Sequence, residues 1–294
     1  MRPTVLVDAS VYVFRGWFSI KPTLKDPAGR PVNAVFGFGQ WLGRMLTELA
    51  PERAAVAFDE SLTSSFRNDY FPSYKANRED APPELKVQFP LCRRLAEAAG
   101  LACLSSPVYE ADDLLATLAV RERAAGRNLL VLSRDKDLAQ LLRPGDEYHD
   151  YPSGLRVSYE QVPGVFGAPA PLIPDYLGLV GDKVDNIPGV PGIGPKTAAL
   201  LLARWPGLEA LYADLEGVAA LAVRGAPLLA ARLGEHRELA FLSRRLATVE
   251  DAVPLDPPPE LARRPPDAGA LAALAEELGF SARWRAPFAA PAPA

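Results

Sequence analysis

Residues 4–8 read TVLVD. A short, β-branched, apolar run that ends on an acid has the pattern of a buried strand delivering a charged side chain at its carboxyl end. The pattern recurs along the chain. AAVAF over 54–58 runs into Asp59, and LLVL over 129–132 is followed by SRDKD, which carries Asp135 and Asp137. Helical periodicity fills the intervals at 34–49 (AVFGFGQWLGRMLTEL), 90–99 and 111–125. A short strand is expected at 101–104 and a helix at 137–142. Strands alternating with helices predict an α/β fold with a central, mostly parallel sheet flanked by helices.

From about residue 174 strand signals stop and Ala/Leu-rich helical periodicity runs to about 280. The expected organisation is an α/β domain over 1–173 and a smaller helical domain over 174–285. Residues 60–90, mixed in charge, aromatics and prolines, read as a loop or mobile helical arm. The low-complexity end, 286–294, is expected to be disordered.

The bulk composition narrows the chemistry. Of 294 residues, 49% are hydrophobic and 23% charged, ordinary for a globular chain with a sizeable core. No apolar run has the length of a membrane span, and the start lacks a signal peptide's apolar stretch. Cys92 and Cys103 are the only cysteines, too few for a disulfide framework, so a cytoplasmic location is expected. His149 and His236 are the only histidines, which excludes a three-histidine zinc site. Carboxylates, lysines, arginines and hard metal ions remain. The net charge of −4 does not by itself favour nucleic acid, but binding depends on where the charges lie.

The acids are placed suggestively. Asp8, Asp59, Asp135 and Asp137 all follow strands, and ligands of open parallel sheets bind beyond the strands' carboxyl ends. YEADD adds Glu110, Asp112 and Asp113 at a helix start. GDKVDN adds Asp182 and Asp185 at i, i+3, on one face. Singly, each reads as a loop acid or a helix-terminus acid. Together they repel: a like-charged pair at 4 Å costs about 1 kcal/mol in water and about four times that at an effective dielectric of 20. Cations must offset this. All-oxygen ligands favour Mg²⁺ or Mn²⁺, and the separation into groups suggests two ions, an arrangement suited to in-line phosphoryl displacement.

Residues 186–197, NIPGVPGIGPKT, fail the P-loop pattern because Pro195 separates Gly194 from Lys196, and they fail the dinucleotide pattern for want of a third glycine. A hairpin between two helices fits better, with Pro195 at the first helical position and exposed N–H groups able to hold a phosphate. Residues 66–78, FRNDYFPSYKANR, interleave Arg67, Lys75 and Arg78 with Phe66, Tyr70, Phe71 and Tyr74. This mixture suits single-stranded nucleic acid, or else a solvated loop with its rings on the core. Phe14 and Arg15 follow Asp8 closely enough to reach the same site.

The segments VDASVYVFR (7–15), AVFGF (34–38), AFD (57–59), FRNDYFPSYKANR, YEADD, SRDKD and GDKVDNIPGVPGIGPKTA (181–198) occur in an order that resembles the 5′-nuclease, or flap endonuclease, superfamily. The similarity runs from residue 4 to about 255 and is greatest to the 5′-nuclease domain of bacterial DNA polymerase I and its stand-alone relatives. The absence of a polymerase domain here suggests the stand-alone kind. The resemblance implies a PIN-like fold and structure-specific 5′–3′ exonuclease or flap endonuclease action on DNA 5′ ends, flaps or nicks, by a monomer. It implies a first metal site at Asp8, Asp59, Glu110 and Asp112, Asp113 between the sites, and a second at Asp135, Asp137, Asp182 and Asp185. Lys75 and Arg78 match the basic pair that contacts the scissile phosphate from the arch; Arg67 and Arg15 match further basic positions. The Asp59-to-Arg67 spacing is a residue longer than in some relatives. Phe14 matches a ring against the terminal base, with Tyr74 nearby. Gly189, Gly192, Ile193, Gly194, Lys196 and Thr197 match the helix-hairpin-helix element that holds duplex backbone, often with K⁺. The rival readings are a non-catalytic DNA-junction binder, a PIN-type ribonuclease and, least favoured, a small-molecule phosphatase.

Overall fold

The computed structural model describes residues 2–61, 63 and 65–289. Its centre is a six-stranded sheet in the order β3-β2-β1-β4-β5-β6. The strands are β1 (Thr4–Asp8), β2 (Ala54–Ala57), β3 (Ala102–Leu104), β4 (Leu129–Leu132), β5 (Glu147–Asp150) and β6 (Leu155–Ser158). β1 pairs in parallel with β2 and β4, in register Asp8 to Ala57 and Leu6 to Val131. Only β6 runs antiparallel. The buried inner strands are near-continuous apolar runs because both faces are covered. β6 (LRVS) forms one edge of the sheet and β5 (EYHD) lies next to it; both were missed by sequence reading, and both mix polar with apolar residues.

Alternation along each strand divides the core between two faces. Val5 and Val7 point into one cluster with helices α1 (Ala9–Ser19), α2 (Asn33–Leu49), the single turn α3 (Pro83–Lys86) and α4 (Gln88–Ala98). Leu6 points into the other, against α5 (Ala111–Ala124). α1 and α2 cross at backbone contact. A Cβ added at Gly37 would lie 2.5 Å from the Cα of Gly16, so both positions require glycine. The short α6 (Val162–Phe166) packs below β6.

α7 (Ile173–Val180), α8 (Pro195–Leu202), α9 (Leu208–Ala213), α10 (Leu215–Ala219), α11 (Ala226–Glu235) and α12 (Arg237–Ala247) form the helical unit, and its core is continuous with that of α5. The expected boundary at 285 does not hold. After α12 the chain returns along the sheet, where Ala54 N–H donates to Leu261 C=O and Arg263 N–H to Glu52 C=O, each within 2.9 Å. α13 (Ala268–Leu278) then packs on α4, and α14 (Ala282–Arg285) on α2. The expected disorder from 286 is also corrected over Ala286–Ala289, a short 3₁₀ turn that buries Phe288 against Trp284. One large apolar ring outweighs the surrounding Ala/Pro composition; residues 290–294 lie outside the described residues. Among the described residues no helix is long and apolar enough to cross a membrane. Cys92 and Cys103 are unpaired.

Phe288→Ala is expected to cost about 3–5 kcal/mol in urea unfolding. A loss below about 1 kcal/mol would mean the terminal turn is not part of the core.

Candidate active site

β1, β2 and β4 all end at the same edge of the sheet. Asp8 closes β1, Asp59 lies just past β2, and Asp135 lies just past β4. Glu110 caps the start of α5, and Asp112 lies in its first turn. The four residues Gly181–Val184 follow α7 and place Asp182 beside Lys136, while Asp185 faces Tyr74.

These acids act on one another. Burial, then Asp59 and Asp135, push the Asp8 carboxyl up to about 7, against a hydrogen bond from the Ser133 hydroxyl at 2.8 Å. Burial pushes Asp112 well up, reinforced by Asp135, Asp8, Asp59 and Glu110. Burial raises Asp59 against the opposing pull of Lys75, the Ala111 N–H at 2.9 Å and the Ser10 hydroxyl at 2.7 Å. Asp135 is raised by burial and Asp185, and Asp137 by burial, Asp135 and Asp182. The mutual influences form two overlapping sets, Asp8, Asp59, Glu110, Asp112 and Asp135, and then Asp135, Asp137, Asp182 and Asp185.

Cations are set among them. Lys75 is buried, ion-paired to Glu110 and 3.8 Å from Asp185; burial alone would lower its ammonium, but those acids hold it above its ordinary range. Arg78 pairs with Asp185. Lys136 Nζ lies 2.8 Å from Asp182, and with the N–H groups of Val184 and Asp185 it outweighs burial and holds that carboxyl below its usual range. With these ammonium and guanidinium groups in place, no three acids among the described residues stand arranged to grip one ion. The donor set still fits a hard divalent cation. It is all oxygen, crowded enough to raise several carboxyls, and it includes a buried Asp137 Oδ1 with no hydrogen-bond partner.

Four expected roles are corrected. The carboxylate of Asp113 is completely buried and accepts from Arg67 twice, from Glu110 N–H at 3.1 Å and from Glu250 N–H at 2.8 Å. Those bonds use its lone pairs and leave none for a metal. Arg67 spends all five N–H donors inside the protein, on Asp113 twice, Glu110, Leu246 C=O and Thr248 C=O, at 2.7–3.0 Å. It cannot reach a phosphate as it stands. Tyr74 is buried and its single O–H is shared between the carboxylates of Glu110 and Asp185, so its ring is not free to stack on a base. Arg15 is exposed and has no contact with the acids; it lines a cavity of about 320 Å³ between α1 and α2 with Tyr12 and Trp41. Phe14 is half-buried, stacked on the exposed Phe18 and edge-on to Phe89 at 5.8 Å.

The 189–194 turn and the start of α8 form the expected hairpin. Gly189 and Gly192 take φ of +64° and +78°. Gly189 is packed inward, its N–H on the Ser243 hydroxyl at 2.9 Å, and Ile193 is buried, so both are packing positions. Gly194 caps α8, Thr197 N–H folds back on its carbonyl at 3.0 Å, and Lys196 is exposed. Sequence reading missed Ser10, Ser133 and Lys136. Each lies within two residues of a candidate acid, and that adjacency was the available signal.

Residues 3–161 match the sequence family described as the 5'-3' exonuclease N-terminal resolvase-like domain, and residues 168–269 match the 5'-3' exonuclease C-terminal SAM fold. The chain belongs to the 5'-3' exonuclease family. It is 42% identical over 280 residues to DNA polymerase I of Pseudomonas aeruginosa, covering 95% of this chain and 30% of that protein. It is 34% identical to a 5'-3' exonuclease of Buchnera aphidicola subsp. Baizongia pistaciae, covering 84% of this chain and 81% of that protein. The chain thus spans about a third of the length of the polymerase relatives and most of the shorter exonuclease. T5 5'-exonuclease with bound zinc superimposes with a TM-score of 0.65 at 17% identity, over 97% of this chain and 96% of that one. The catalytic core of Rad2 with DNA gives 0.62 at 14%, over 97% and 92%. At those identities the likeness is one of fold.

For this exonuclease-family chain the buried acids set a pH dependence. The folded-state value of Asp8, about 7, lies above its ordinary 3.8, so the folded protein holds the proton that the unfolded chain gives up. The resulting stability is complete below about pH 4 and is lost as pH rises through 7. In EDTA, Asp8→Asn is expected to melt higher than the parent at pH 8, by at least about 1 kcal/mol or roughly 2–4 °C, with little difference at pH 4. Equal melting at pH 8 would exclude the repulsion. Arg67→Met leaves Asp113 buried and unpaired and is expected to cost about 3–5 kcal/mol in urea unfolding.

Proposed function

We propose that this chain is a structure-specific 5′–3′ exonuclease and flap endonuclease that hydrolyses DNA phosphodiesters with two divalent ions, Mg²⁺ or Mn²⁺. The observation that carries the reading is the shared edge where acids from five segments crowd one another with Lys75 and Arg78 set among them. The family membership supports it, as do the names of the relatives, a zinc-bound T5 5'-exonuclease and a DNA-bound Rad2 core among them.

Asp8, Asp59, Glu110 and Asp112 would hold one ion, and Asp135, Asp137, Asp182 and Asp185 the other. Bound there, such ions offset the acids' repulsion, acidify an attacking water and neutralise charge on the leaving oxygen. Ser10, Ser133 and Arg67 fix the carboxylates of Asp59, Asp8 and Glu110, so the site is preorganised by bonds already made. Lys75 and Arg78 would turn their donors from Glu110 and Asp185 to the scissile phosphate and stabilise its developing charge. Phe14 would meet the terminal base. Gly192, Gly194, Lys196 and Thr197 would hold duplex backbone, with K⁺ at the turn carbonyls.

A fluorescent 5′-flap DNA assayed with Mg²⁺, with Mn²⁺ and with EDTA tests the reading. Lys75→Ala is expected to lower the single-turnover rate about 10²–10³-fold with flap affinity nearly unchanged. Near-normal cleavage by that variant removes Lys75 from the chemistry. Asp182→Ala is expected to weaken metal-dependent cleavage while duplex binding persists, and cleavage in EDTA would refute the metal mechanism.

A further inference from the structure

Lys75 holds a backbone conformation that lysine disfavours. Its φ is +55°, in the left-handed region, where a residue with a Cβ is strained and stays only when its surroundings enforce it. The enforcing contacts come from the loop that follows α7. Lys75 N–H donates to Asp185 C=O at 3.0 Å. On either side of that bond an asparagine reaches across. Asn77 Nδ2 donates to Lys183 C=O at 2.6 Å, and Asn186 Nδ2 donates to Ser73 C=O at 2.6 Å. The two side-chain bonds run in opposite directions and bracket the strained residue. Asn186 is itself at φ +56°, a region asparagine tolerates better than most residues. Both bonds lie at the surface, away from the hydrophobic core.

We propose that Asn77 and Asn186 are positioning residues. They form a clasp that fastens segment 73–78 to the loop 182–186 and thereby holds Lys75 and Arg78 among the acids. The proposal rests on the nuclease reading of this site. The clasp ties the two cations to the backbone that carries Asp182 and Asp185, so cations and acids keep register with each other. When it is cut, Lys75 relaxes to an ordinary φ and its ammonium withdraws from Glu110. Two consequences separate this role from general structural support. The reacting geometry is spoiled while DNA binding, which uses other surfaces, persists. The acids also lose an internal counter-ion and attract divalent cations more strongly.

Asn77→Ala and Asn186→Gly test this; glycine keeps the left-handed backbone accessible while removing the side chain that makes the bond. Each is compared with the parent, with Lys75→Ala/Arg78→Ala, and with the combined variants. The measurements are single-turnover cleavage of a fluorescent 5′-flap DNA, flap affinity in Ca²⁺, and Mn²⁺ titration of the DNA-free protein by calorimetry. Each clasp variant is expected to lose about 10–100-fold in single-turnover rate, in line with an ångström-scale misplacement. Flap affinity should stay within about twofold and Mn²⁺ affinity should hold or tighten. In the Lys75→Ala/Arg78→Ala background the clasp changes should add nothing. Unchanged rates, a loss that adds fully in that background, or a loss with weakened Mn²⁺ binding would each overturn the clasp. Unchanged cleavage by Lys75→Ala/Arg78→Ala itself would instead overturn the catalytic reading of those two residues.

Discussion

Mutual repulsion among buried carboxylates is the constraint around which the sheet edge is organised. Parallel strands ending side by side bring Asp8, Asp59 and Asp135 together whether or not their charges tolerate it, and α5 adds Glu110 and Asp112. Burial then raises the cost, since in a medium of lower dielectric each like-charged contact is worth several times its value in water. The fold answers with built-in cations and donors. Lys75, Arg78 and Lys136 lie on the acids, and hydroxyls from Ser10 and Ser133 satisfy individual oxygens. A site poised in this way is costly to keep empty of positive charge and correspondingly ready to accept it.

Arg67 shows how such a site is anchored. Its guanidinium joins the start of α5, through Glu110 and Asp113, to the end of α12 and the residue that caps it, through the Leu246 and Thr248 carbonyls. The α/β unit and the helical unit are therefore tied at the acid cluster itself, besides sharing the continuous core beneath α5. Asp113 belongs to this fastening. Its position in the YEADD run is that of an acid among acids, but its side chain turns inward and completes a buried network, which is stable only because every member is satisfied.

Alternation along β1 carries the rest of the architecture. Val5 and Val7 face α1 and α2 while Leu6 faces α5, so one strand contributes to two cores. The C-terminal helices illustrate the consequence. α7 to α12 cover one face, and the chain then passes along β2 and buries α13 and Phe288 on the other.

The sequence by itself determined the local pattern: apolar runs that had to be strands, helical periodicities between them, acids at strand ends, and a glycine-proline hairpin that was not a nucleotide loop. Those features follow from backbone geometry and residue chemistry within a few positions. It also carried the family resemblance, motif by motif. Tertiary structure alone decided which side chains were spent. Arg67 and Arg78 stand in one basic-aromatic segment, yet Arg67 is sealed among five acceptors and Arg78 lies at the site. Asp112 and Asp113 are neighbours, yet the helix's 100° step sends one to the acid cluster and the other to the fastening. β5 and β6 were illegible because their few residues mix polar with apolar, and the returning C-terminal helices because periodicity tells that a helix is amphipathic but not which face of the sheet it covers. The fate of Arg67 rests on contacts with Glu110 and Thr248, 43 and 181 positions away, which no local pattern encodes.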